Sequence, residues 1–128
     1  MEERRRSLWL LAAAALSFPA WACDPAIEGT RLESARYVLA YKAQKVSVAE
    51  HFALDVAACA KPGHPPPESL KVDAHMPEHR HGMNYRTKVT PRGAGRYSSE
   101  GWLFHMPGRW EFRFDLGSER LTHSVQIE

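Results

Sequence analysis

Apolar and charged side chains alternate strictly along Trp110-Glu111-Phe112-Arg113-Phe114-Asp115-Leu116. A period of two belongs to a half-buried β-strand, so Trp110, Phe112, Phe114 and Leu116 face a core and their neighbours face water. Phe52, Leu54, Val56 and Ala58 repeat the pattern, and Leu121, Val125 and Ile127 carry it near the end of the chain. Leu70, Val72 and Ala74 predict another strand. Ala35–Lys42 predicts a mixed one, with Tyr37, Leu39 and Tyr41 on one side. Between these runs stand turn residues. Lys61–Pro67 holds four prolines in seven residues, and each ring fixes φ and removes an N–H donor, so this stretch is not regular structure. Pro91–Gly95, Pro107-Gly108 and Gly117-Ser118 read as turns. About seven short strands at this spacing predict an antiparallel β-sandwich in one domain.

The first 22 residues do not belong to that pattern. Arg4, Arg5 and Arg6 precede an apolar run, Leu8–Phe18, that is too short to span a bilayer. Ala20-Trp21-Ala22 then supplies small residues at the −3 and −1 positions of a signal-peptidase site. The reading is a cleaved secretory signal over 1–22 and a folded domain over 23–128, in a periplasmic or otherwise exported protein. An uncleaved N-terminal anchor is the alternative. Cleavage makes Cys23 the first mature residue, the position at which lipoproteins are acylated. Ala-Trp-Ala is a poor lipobox, however, without Leu at −3 and with a bulky Trp at −2. The other cysteine is Cys59, and two cysteines in an exported chain most simply form one disulfide. A Cys23–Cys59 bond is therefore favoured over lipidation of Cys23. In the chain-entropy view, closing such a loop is worth about 3–4 kcal/mol.

Charge removes other functions. The 128 residues carry 17 Lys+Arg against 15 Asp+Glu, and the mature part keeps 14 against 13. So balanced a chain projects no strong field at nucleic acid or at a membrane, and no span is expected in the mature part. Enzyme motifs are missing as well. The sequence holds no Gly-x-Ser-x-Gly elbow, no phosphate loop and no HExxH helix, and nothing marks a carboxylate pair among Asp73, Glu78 and Glu100 as poised.

Chemistry concentrates instead in His75-Met76-Pro77-Glu78-His79-Arg80-His81-Gly82-Met83, with five candidate ligands in nine residues, and in His105-Met106. All three methionines of the mature chain, Met76, Met83 and Met106, lie within two residues of a histidine. Imidazole and thioether together suit copper, Cu(I) above all, and a thioether survives an oxidising compartment that consumes thiolates. Extended backbone over 79–83 would put His79, His81 and Met83 on one side, with His105 closing from a neighbouring strand. Met76 also continues the face of Leu70, Val72 and Ala74, and Met106 shares parity with Trp102 and Phe104. Each is open to being core or ligand. His75 has the opposite parity and faces solvent or stands behind the ligands. His51, His64 and His123 read as ordinary histidines.

The runs MPEHRHGM and GRYSSEGWLFHMPGRWEF resemble the YtkA-like family of small exported proteins, related in pattern to FixH-type proteins. The similarity covers about Tyr37–Glu128. It implies an immunoglobulin-like β-sandwich and an association with copper handling, with Met76, His79, His81, Met83, His105 and Met106 at the motif positions.

The leading expectation is a Cu(I) carrier or metallation factor that prefers Cu(I) over Cu(II) and zinc and serves a membrane or periplasmic cuproprotein. The alternative is an immunoglobulin-like interaction module of the cell envelope that holds no metal. Mass spectrometry of the exported protein should find its N-terminus at Cys23 and a Cys23–Cys59 link; a diacylglycerol adduct on Cys23 would overturn both.

Overall fold

The period-two runs become strands in the computed structural model, which describes residues 14 and 27–128. They are β1 (Thr30–Glu33), β2 (Tyr37–Ala43), β3 (His51–Ala60), β4 (Leu70–Met76), β5 (His81–Gly82), β6 (Lys88–Gly93), β7 (Arg96–Leu103), β8 (Gly108–Leu116) and β9 (Glu119–Ile127). One sheet runs β1-β2-β3-β7-β6 and the other β5-β4-β8-β9, every pair antiparallel. The architecture is a β-sandwich without helix among the described residues, none of which forms a helix able to cross a membrane. The 1–22 signal and Cys23 lie outside the described residues. Cys59, its expected partner, is buried in β3.

Nine strands replace the expected seven, and the extra ones explain themselves. β1 and β5 span four and two residues, too short for an alternation to register. Pro91–Gly93 belongs to β6 rather than to a turn, which shrinks to Ala94-Gly95. An edge strand tolerates Pro91 because its missing N–H costs no ladder bond on the open side.

The core lies between the sheets and is aromatic. Phe52 and Trp102 from the first sheet, with Phe104 just after β7, meet Trp110, Phe112 and Phe114 from the second, with Tyr41 beside them. His123 takes an inward position on β9, between Leu121 and Val125. Burial pushes the Tyr41 phenol up to about 12, so the hydroxyl stays protonated, and it is hydrogen-bonded to His123 Nδ1 at 2.5 Å. That bond satisfies both polar tips inside the apolar layer.

One irregularity sets the orientation of everything after it. Phe52 pairs with Trp102 and Leu54 with Ser99, so Glu100 and Gly101 together stand against the single Ala53. This is a β-bulge, and Gly101 supplies its left-handed residue at φ 86°. Inward positions change parity across it. Tyr97 and Ser99 face the core before the bulge, Trp102 and Phe104 after it. The two phases are joined inside the core, where Trp102 Nε1–H donates to the buried Ser99 Oγ at 2.8 Å.

Gly101 also lies against the crossing chain, because a Cβ there would sit 2.3 Å from the Arg86 carbonyl oxygen. Gly63 has nearly the same φ, 85°, with nothing near its Cβ position. Gly63→Ala therefore isolates the conformational cost, about 1 kcal/mol, whereas Gly101→Ala adds a backbone clash and should lose about 3 kcal/mol or more in urea unfolding. Equal losses at the two sites would show that the close approach does not matter.

Candidate metal centre

β4 ends at Met76, and the chain reverses at once. Pro77 presets a turn, the His79 amide donates to the Met76 carbonyl at 3.2 Å, and Arg80 closes the turn at φ 56°. The chain then runs back beside β4 with His81 opposite Met76 and Gly82 opposite His75. Residues 79–83 are thus not one extended segment, contrary to the alternation argument. His79 belongs to the turn, and only His81-Gly82 is strand. The register still places His81 well. Directly opposed residues share a face, so His81 joins the fully buried Met76 on the inner side of its sheet.

His105 arrives from the other direction, on the connection between β7 and β8. Phe104 before it stacks on Trp110, with centroids 4.5 Å apart and planes 16° from parallel. The Trp110 indole N–H donates to the carbonyl of Met106 at 3.0 Å. These two contacts clamp His105 between fixed neighbours. Two imidazoles then meet the indole nearly edge-on, His105 at 5.5 Å and His81 at 6.1 Å. His81 itself stands 5.2 Å from His105 and 5.8 Å from His79, centroid to centroid. Two of the expected ligands, His81 and His105, 24 residues apart in the chain, thus meet at one tryptophan, and the exposed His79 lies beside His81.

Those spacings have chemical content. A metal–nitrogen bond of about 2 Å puts an imidazole centroid about 3.2 Å from the ion, so two rings on one ion are about 5.2 Å apart at a tetrahedral angle and about 6.4 Å apart when opposed. Both observed separations fall in that interval. The nitrogens add direction. His81 Nδ1 lies 3.0 Å from the Gly82 carbonyl, an acceptor, so that nitrogen carries the proton and Nε2 keeps its lone pair. Metal-binding histidines are commonly fixed in this way. His105 Nδ1 is buried with no partner. Ring spacing and nitrogen direction are separate requirements, and among the described residues no three His, Cys, Asp or Glu side chains already converge as a metal-holding group.

Met83 and Met106 are partly buried against the edge of the core, beside the histidines in the chain. Met76 is core, fully buried, its methyl filling the space that a Cβ on Gly108 would need, at 2.6 Å. Gly108 has φ 131°, so the start of β8 is shaped around that methionine. The role of Trp110 as the floor of the site escaped the sequence reading, where it was one of four inward residues on its strand. Its neighbour in sequence space, the HMPG turn, was the only available signal. Among the ordinary histidines, His51 Nδ1–H donates to the Trp102 carbonyl at 3.3 Å and His64 is exposed.

Comparison of the chain with protein-family models, with curated proteins and with solved structures gives no match.

His75 stands on the outer face of the second sheet, away from these rings. Its Nε2 meets the Arg113 guanidinium, and its Nδ1 faces Glu111 Oε1 at 3.7 Å. Burial, then the Arg113 charge, pulls its pKa below the ordinary imidazole value, against weaker opposition from Glu111 and Asp73. The fold therefore prefers the neutral ring. The unfolded chain protonates first as pH falls through about 6.5, so this residue withdraws stability below that pH, and the loss levels off below its folded pKa. His75→Gln keeps an acceptor for Arg113 and does not titrate. Its melting temperature should fall less than the parent's between about pH 7.5 and about pH 5; parallel curves would remove His75 from the account.

Proposed function

We propose that this chain is an exported copper-binding protein, a Cu(I) carrier or metallation factor without catalysis of its own, in keeping with its resemblance to YtkA-like proteins. The observation that carries the reading is the His81 ring, with the His79 and His105 rings 5.8 and 5.2 Å away, centroid to centroid. The donor chemistry supports it further. Two or three imidazoles with an adjacent thioether from Met83 or Met106 make a set that Cu(I) accepts at low coordination, whereas thioether is a poor zinc ligand. Such a site also suits transfer. Its rings lie at one end of the sandwich, and His81 is only partly buried, so a partner protein can reach the ion without unfolding the carrier. Copper is here cargo for a membrane or periplasmic cuproprotein.

The absence of a converged triad among the described residues favours the second reading, an interaction module of the envelope whose histidine end is a recognition surface. Competition against a chromophoric Cu(I) chelator, beside a zinc titration, separates the two. One Cu(I) per chain is expected, bound more tightly than zinc. His81→Ala should weaken binding by at least about 100-fold, the upper end of what loss of an outer-shell partner of a metal ligand costs. Met83→Leu keeps volume and removes only the donor, so it should weaken Cu(I) while sparing Cu(II). Tighter zinc than Cu(I) would end the copper assignment, and no metal at all would leave the module.

A further inference from the structure

The three imidazoles are not held equally. His81 is fixed by strand pairing and by its bond to the Gly82 carbonyl, and His105 by the clamp of Phe104 and Trp110. His79 rides on a turn whose own backbone bond is the 3.2 Å contact to Met76. The neighbouring Glu78 supplies what that turn lacks. Its Oε1 accepts from Arg109 Nε at 2.8 Å, and Arg109 Nη1 also donates to Ser124 Oγ at 3.3 Å. Arg109 opens β8 directly after Gly108, and Ser124 lies on β9. A single guanidinium therefore ties the His79 turn to the two strands behind it.

We infer that the Glu78–Arg109 ion pair is a strap that positions His79 over His81, and that it sets how readily the site takes and gives up its ion. The inference about the ion rests on the copper reading; the strap itself does not. The pair is largely solvated, with side-chain exposures of 64% and 39%, so its worth is bounded. Exposed ion pairs contribute up to about a fivefold factor, enough to bias one turn and too little to matter for the whole fold. That is the range a carrier needs, since a rigid third ligand would oppose release. Screening gives the strap a signature of its own: the attraction fades as the Debye length shrinks from about 10 Å at 0.1 M salt to about 3 Å at 1 M.

Hydrogen exchange on the metal-free chain tests the strap directly. E78Q and R109Q should each speed exchange of the His79 amide by about fivefold, and the charge swap E78R/R109E should restore it. Unchanged exchange, or a swap as fast as either single variant, overturns the strap. Cu(I) affinity then tests its purpose. E78Q should weaken binding by about three- to fivefold in the parent and not at all in a His79→Ala background. Raising sodium sulfate should weaken the parent and leave E78Q unaffected; a salt response shared by both would overturn the link to binding. If the parent takes up no Cu(I) while exchange responds as expected, the copper reading fails and the strap stands.

Discussion

The position of Trp110 is the constraint on which this molecule turns. Its ring stacks on Phe104 just after β7, its N–H holds the Met106 carbonyl, and it meets the His81 and His105 rings at steep angles. One side chain thus closes the core, fixes the HMPG connection and floors the candidate site. An indole is suited to the task because it buries a large apolar surface and still needs a partner for one polar tip. Here that partner is a backbone carbonyl of the very loop that brings in His105. Packing and ligand placement are therefore not separable at this end of the sandwich.

Much of the sandwich was legible because alternation is a direct record of which side faces the core. Trp110, Phe112, Phe114 and Leu116 all fall inward, as do Phe52, Leu54, Val56 and Ala58. The short edges were not legible, since two residues such as His81-Gly82 hold no period. The gathering of His81 with His105 was anticipated, from the crowding of soft and borderline donors around both. Its local geometry was not. Parity reasoning assumed extended backbone from His79 to Met83, whereas Pro77 and the left-handed Arg80 turn the chain back on itself. The result is an opposite route to a similar meeting: a hairpin rather than one strand face delivers His79 beside His81.

The open alternatives for the methionines divide on the same physical ground. Met76 follows an uninterrupted inward phase and is swallowed by the core, against a glycine that leaves room for it. Met83 and Met106 lie where strands give way to turns, so neither is held to a sheet phase, and both stay at the rim. Both are partly buried against the core rather than within it.

The bulge at Gly101 also constrains how this chain can change in length. It adds one residue to β7 and shifts the inward phase, so that the sequence between it and β8 is read in a second frame. Removing one of the two bulge residues, Glu100 or Gly101, would restore regular pairing and leave Trp102 opposite Phe52, so that Ser99, Trp102 and Phe104 would share one continuous inward phase. Removing both would instead put Trp102 opposite Ala53 and turn it and Phe104 outward. Deletions at the bulge should therefore be tolerated singly and rejected in pairs, a rule set by strand register rather than by any contact with the histidines.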